Sequence, residues 1–185
     1  SAIGIAGMDR ALRANVITKS GKAVETAGDI DTLLLDKTGT ITIGNRKATN
    51  FYPVAGIDER EFIEACLMSS LSDETPEGKS IVELGRERGF RMRDLNTVGA
   101  KMIKFTAETK CSGVDMMNGT RIRKGAFDAI RKIVENAGHT FPKECEKIIT
   151  SISNDGGTPL VVALNENVIG VIELQDIIKP GIQER

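Results

Sequence analysis

The residues with the clearest chemical reading are Asp36-Lys37-Thr38-Gly39-Thr40, directly after the apolar run Leu33-Leu34-Leu35. Three leucines between polar flanks predict a short strand buried on both faces, as in a parallel sheet. Such a strand ends at Asp36, and in open α/β sheets ligands bind beyond the carboxyl ends of the strands. A carboxylate in that position can attack phosphorus and become an aspartyl-phosphate. Lys37 can offset the charge of a phosphoryl group, while Thr38, Thr40 and the Gly39 backbone can donate hydrogen bonds to its oxygens.

The elements that must position this loop read as follows. Ser1 to about Asn15 has a helical pattern, with Ile3, Ala6, Met8, Ala11 and Leu12 on one side and Arg10 and Arg13 late, where a helix dipole favours them. Val16-Ile17 is a short strand or loop. After the loop, residues 41–45 read as a connector, and 48–54 as a strand ending at Pro53. Asp58 is a plausible N-cap for a helix carrying Phe62, Ile63, Cys66, Leu67 and Leu71. Thr75 caps a second helix with Pro76 in its first turn, stopped by Gly89. Residues 101–106 are a strand candidate, and Asn118-Gly119 between two β-patterned runs is a strong hairpin signal. Helices over 126–136 and 142–153 follow, then a second hairpin about Asn165-Glu166-Asn167. Residues 176–181 lead towards a further helix.

The expected fold class is therefore an α+β domain, an antiparallel sheet flanked by helices, inserted into an incomplete α/β domain. Residues 1–44 and 178–185 read as parts of the parent domain and 45–177 as the insert.

Composition narrows the function classes. The chain has 185 residues, net charge −1, no Trp and one Tyr, so neither a basic nucleic-acid footprint nor a base-stacking platform is expected. Cys66, Cys111 and Cys145 are widely spaced and lack a CxxC pair, which reads as reduced thiols in a cytoplasmic setting. His139 is the only histidine, which excludes His-based metal sites and Ser-His catalysis. No apolar run approaches the ~20 residues needed to cross a bilayer, and no signal peptide is visible. Gly21-Lys22 lacks the spacing of a phosphate-binding loop.

Asp-Lys-Thr-Gly-Thr after an apolar strand is the phosphorylation signature of the P-type ATPases, and the sequence resembles that family. Related phosphatases place a second aspartate two residues after the nucleophile. Here that position is Thr38, which favours a persistent aspartyl-phosphate and a pump. The narrower resemblance is to the ATP-binding catalytic subunit of potassium-transporting Kdp-type ATPases. It rests on residues 1–10, Asp73-Glu74-Thr75-Pro76-Glu77-Gly78, Ile122-Arg123-Lys124-Gly125, Thr158-Pro159-Leu160-Val161-Val162 and residues 176–182, and covers essentially the whole chain. Heavy-metal pumps, the nearest alternative, carry a Glu-His-Pro-type motif, and Glu74-Thr75-Pro76 has no histidine. A free-standing phosphatase-like domain of the haloacid-dehalogenase (HAD) superfamily is the other alternative; it needs its own complete magnesium site.

The resemblance implies a HAD-like phosphorylation domain around Asp36 and a nucleotide-binding domain over 45–177. ATP and Mg²⁺ are the implied cofactors, with Asp36 and Thr38 at the metal and Lys37 assisting. In the nucleotide pocket it implies Phe105, on its strand, stacking on adenine; Lys124 beside base and phosphates; Ser112 and Gly113 on the neighbouring strand; Gly125 giving close approach to the backbone; and Lys110 as a basic residue. Asp73, Glu74 and Glu77 match the acidic segment at the pocket mouth, Asp73 and Glu77 bonding base or ribose. Asp176 and Lys179 match the hinge back to the phosphorylation domain. Ala126 stands where the potassium pumps more often have serine. The remaining magnesium ligands, most membrane helices and the actuator domain of the family are expected outside residues 1–185. The implied setting is the cytoplasmic face of the plasma membrane, with other subunits of a potassium-transport complex as partners and attachment through segments absent from this chain.

Overall fold

The computed structural model describes residues 2–182 and divides into two compact units, residues 1–37 and 38–185. The first unit holds helices α1 (Ala2–Arg13) and α2 (Gly21–Ala27). They approach closely through glycine: a Cβ added at Gly21 would lie 3.0 Å from Gly4 Cα, and one at Gly7 would meet Val24. Ser20 caps α2 by accepting from the Ala23 N–H.

Residues 33–35 do not form the expected strand. Leu33, Leu34 and Leu35 are 67%, 91% and 59% exposed in irregular backbone. A strand of the parallel type needs hydrogen-bonded neighbours and cover on both faces, and among the described residues it has neither. Local pattern alone cannot supply those partners.

The second unit is built on one six-stranded antiparallel sheet in the order β1-β6-β5-β4-β3-β2, comprising β1 (Thr42–Pro53), β2 (Lys101–Ile103), β3 (Cys111–Asp115), β4 (Arg121–Gly125), β5 (Thr158–Leu164) and β6 (Asn167–Ile178). Helices α3 (Glu59–Ser70) and α4 (Pro76–Glu87) cover one face, burying Phe62, Leu67 and Ile81 with Ile122, Val162, Ile172 and Leu174. Helices α5 (Phe127–Asn136) and α6 (Lys143–Asn154) cover the other, where Ile130, Val134, Cys145 and Ile149 meet Val161, Ala163, Val168 and Val171. Helices on both faces explain why β5 and β6 read as nearly continuous apolar runs rather than alternating ones. The capping expectations hold: Asp58 accepts from the N–H groups of Arg60 and Glu61, and Thr75 from that of Gly78. The Asn118-Gly119 turn joins β3 to β4, with Gly119 at φ 87°.

Three boundaries differ from the sequence reading. Residues 42–45, expected as a connector, begin β1, because β6 extends to Ile178 and pairs with it, Thr42 opposite Ile178. Residues 176–178, read as leading towards a further helix, are for the same reason the end of β6, and residues 183–185, where that helix would continue, lie outside the described residues. β2 stops at Ile103, so Phe105 lies in the loop beyond it instead of on the strand. Each difference comes from pairing with a distant segment, which no local window contains.

Candidate ligand-binding site

A cavity of about 340 Å³ opens on the α3/α4 side of the sheet, lined by residues from both sheet and helices. Antiparallel register puts Ser112 on β3 directly opposite Lys124 on β4, so both side chains share one face. Thr158 and Leu160 of β5, Leu174 of β6 and Arg46 of β1 continue the floor. The segment between α3 and α4 brings Asp73, Thr75 and Glu77 to the wall, and the β2–β3 loop adds Phe105 and Lys110.

Lys124 is the electrostatic centre. It is only 2% exposed, with Nζ 2.8 Å from Asp73 Oδ2 and 2.9 Å from Ser70 Oγ. Ser70 Oγ in turn donates to the Cys66 carbonyl at 2.7 Å. Burial pulls the Lys124 ammonium below the usual lysine range, and the Asp73 carboxylate pulls against it. For Asp73, burial works upward, but the charge of Lys124 and hydrogen bonds from Lys124 and Thr75 outweigh it and leave the carboxyl below its ordinary range. The Thr75 hydroxyl and backbone N–H both donate to Asp73 Oδ1. Gly78 makes this seat possible: a Cβ there would lie 2.4 Å from Asp73 Cγ, so the first turn of α4 rests directly on the carboxylate.

The remaining lining is softer. Ser112 is buried, and among the described residues its Oγ has no hydrogen-bond partner. An orphaned hydroxyl in a cavity wall favours a ligand that completes it. Phe105 is 50% exposed and belongs to neither core cluster. Lys110 is exposed at φ 49°, its Nζ 3.3 Å from Asp128 Oδ2. Thus an aromatic face, a fixed ammonium, an unpaired hydroxyl and apolar side chains converge, a combination suited to a planar heterocycle bearing polar edges.

Of the residues expected in the pocket, Asp73, Glu77, Phe105, Lys110, Ser112, Lys124 and Gly125 converge there and Gly113 does not. With a side-chain period of two, Gly113 faces away from Ser112, and a Cβ on it would meet the Ile122 carbonyl at 2.0 Å. Its glycine serves close strand packing. The same holds in part for Gly125, whose added Cβ would lie 2.4 Å from the Lys110 carbonyl. Sequence reasoning did not place Arg46, Ser70, Thr158, Leu160 or Leu174 at a ligand site, although Thr158 and Leu160 lie in a run that carries the resemblance. The alternation of Thr158 and Leu160 was readable, but only the strand order shows which face they share.

Asp36 and Lys37 belong to the first unit, where both are exposed. Thr38, also exposed, enters the turn 37–41, in which Gly39 adopts φ 81°. In the second unit this turn is tied to the end of β6: Lys179 Nζ donates to the Gly39 carbonyl at 2.6 Å and the Lys179 N–H to the Ile41 carbonyl at 2.9 Å. Arg46 Nε lies 3.7 Å from Asp176 Oδ1. Asp176 thus ties β6 to Arg46 of β1, and Lys179 ties the chain just past β6 to the turn that precedes β1. Among the described residues no group of three or more His, Cys, Asp or Glu side chains is placed to hold a metal ion, and no helix is long and apolar enough to cross a membrane.

The same architecture occurs in solved P-type ATPases. A zinc-transporting PIB-type ATPase superposes with a TM-score of 0.67 at 23% identity, over 97% of this chain and 27% of that one. The catalytic domain of the CPx-ATPase CopB-B superposes at 0.59 and 17% identity, over 96% and 56%. The fold is thus that of the catalytic region of P-type ATPases. No family model matches the chain, yet individual sequences do so along its full length. It is 54% identical to potassium-transporting ATPase ATP-binding subunit 1 of Listeria innocua, and 55% and 58% identical to potassium-transporting ATPase ATP-binding subunits of Clostridium perfringens and Deinococcus radiodurans. In each case the chain spans 27% of the relative's length. Over all its residues it is therefore similar to the ATP-binding subunits of potassium-transporting ATPases.

Proposed function

We propose that the chain is the nucleotide-binding and phosphorylation-site region of an ATP-driven potassium-uptake pump. The observation that carries this reading is the convergence of Phe105, Ser112, Lys124 and the Asp73–Glu77 segment, distant in sequence, on one cavity. Adenine stacks on Phe105, where base-on-aromatic contact supplies about 1–3 kcal/mol. Ser112 and Lys124 donate to its polar edge, and Lys110 and Arg46 offer positive charge to the phosphates. Residues 45–177 act as the nucleotide domain. Residues 1–44 and 178–185, of which 1 and 183–185 lie outside the described residues, belong to a HAD-like phosphorylation domain. Potassium specificity, the accompanying subunits and the cytoplasmic face of the plasma membrane are inferred from the similarity to the potassium-transporting relatives.

In the intact enzyme Asp36 attacks the γ-phosphorus of bound ATP and ADP leaves. Lys37 offsets the charge at the phosphoryl group, and Thr38 takes the position where a phosphatase would need a general acid. Asp36 and Thr38 offer the hard oxygen donors that Mg²⁺ prefers. Among the described residues no group of three or more His, Cys, Asp or Glu side chains is placed to hold that ion; its further ligands come from elsewhere in the intact enzyme. Bound Mg²⁺ would neutralise phosphate charge during transfer.

An NMR titration of the chain with ATP, with and without Mg²⁺, tests this reading. The expected affinity is on the order of millimolar, about −4 kcal/mol, with shifts at Phe105, Ser112 and Lys124 and little dependence on magnesium. Shifts confined to Asp36 and requiring Mg²⁺ would refute the pocket assignment.

A further inference from the structure

We propose that Ser70 and Asp73 are positioning residues, a clamp that holds the Lys124 ammonium so that its remaining N–H faces the ligand. The inference rests on the reading of the cavity as a nucleotide site. It also reassigns Asp73, expected from sequence to bond the ligand itself.

The geometry supplies the argument. An ammonium has three protons and accepts nothing. Asp73 Oδ2 takes one at 2.8 Å and Ser70 Oγ another at 2.9 Å, and the Nζ that carries the third belongs to a residue lining the cavity. Ser70 cannot turn away, because its own proton is committed to the Cys66 carbonyl at 2.7 Å and its lone pairs are left to face Lys124. Asp73 is fixed as firmly: Thr75 donates twice to Oδ1, and Gly78 packs so closely on the carboxylate that even a Cβ there would clash with it. With Oδ1 held by Thr75 and Oδ2 by Lys124, the carboxylate is a poor partner for a ribose. The third N–H is then aimed by the fold, ready for a ring nitrogen or phosphate oxygen of the nucleotide.

The clamp also keeps Lys124 charged. Cys66 on α3, Asp73 on the connecting segment and Glu77 on α4 are the titratable groups that act on it; from β3 it faces the neutral Ser112. Burial pushes the Cys66 thiol far up, so it stays protonated and supplies no negative charge. Among the described residues Asp73 is the one carboxylate that hydrogen-bonds Lys124, and a buried lysine without such a partner can lose its proton near neutral pH.

The test is ATP titration of the isotope-labelled chain between pH 6 and pH 8.5, comparing the wild type with Asp73→Asn and Ser70→Ala, with the amide spectrum of each variant reporting its fold. Wild-type affinity is expected to stay flat across this range. Asp73→Asn should bind about tenfold more weakly at the alkaline end and recover at the acid end, as Lys124 regains its proton. Ser70→Ala, which keeps the charge pair, should lose about threefold with a flat profile. A loss of packing alone would lower affinity equally at every pH. A folded Asp73→Asn protein with wild-type affinity and a flat profile overturns the clamp. If that variant fails to fold, two readings still decide: wild-type affinity in Ser70→Ala, or a Lys124 ammonium exchanging and titrating like a surface lysine in the wild type, overturns it as well. Absence of ATP binding by the wild type overturns the nucleotide reading and the clamp together, whereas binding undisturbed by the variants overturns the clamp alone.

Discussion

Truncation of Phe105 to alanine separates a ligand-stacking ring from a core residue. The ring is 50% exposed and belongs to neither hydrophobic cluster. Deleting a fully buried phenylalanine costs about 3–5 kcal/mol, largely through the cavity left behind. Here half the surface is already wet and little cavity remains, so the stability loss should stay below about 1 kcal/mol. Binding behaves differently, because stacking on an aromatic face contributes about 1–3 kcal/mol per base. That converts to about a five- to 150-fold rise in Kd for ATP. Urea unfolding and an ATP titration on the same Phe105→Ala protein measure both quantities. An unchanged Kd with a stability loss above about 2 kcal/mol would refute the reasoning, since the ring would then be packing, not binding.

Further perturbations probe other parts of the site. Gly78→Ala drives a methyl into Asp73 and should cost about 1–3 kcal/mol in urea unfolding, with weaker ATP binding as the Lys124 contact is displaced. The folded-state pKa of Asp73 is depressed, and so is that of Glu173, where hydrogen bonds from Asn50, Gln175, Tyr52 and Thr49 outweigh burial. Their stabilisation is therefore present above the unfolded carboxylate pKa of about 4 and lost as pH falls through the folded values. Urea midpoints measured on descent from pH 7 to pH 3 should fall less steeply in Asp73→Asn/Glu173→Gln than in the wild type. The isolated chain, lacking a complete metal cluster among its described residues, should bind ATP yet accumulate no stable radiolabelled γ-phosphate on Asp36; stable labelling would show that phosphoryl transfer needs fewer groups than proposed.

Much of this protein was legible without coordinates. Asp58, Thr75 with Pro76, and Asn118-Gly119 act through contacts a few residues long, so their helix starts and hairpin follow from local chemistry. The candidate site was legible through resemblance more than through pattern. Phe105, Ser112 and Lys124 taken singly are an ordinary aromatic, serine and lysine, and their spacing says nothing of a shared cavity.

Tertiary structure decided what depends on distant partners. The antiparallel register that sets Ser112 opposite Lys124 also turns Gly113 to the far face. Pairing with β6 converts a connector into the start of β1. Leu33, Leu34 and Leu35 carry the composition of a buried strand and stand exposed, because burial is a property of neighbours and those residues have none that pair with them among the described ones. The Ser70–Lys124–Asp73 clamp is the strongest case. It joins residues 51 and 54 positions apart, and only the packing of α3 against β4 reveals that a buried lysine is held by a carboxylate and a hydroxyl.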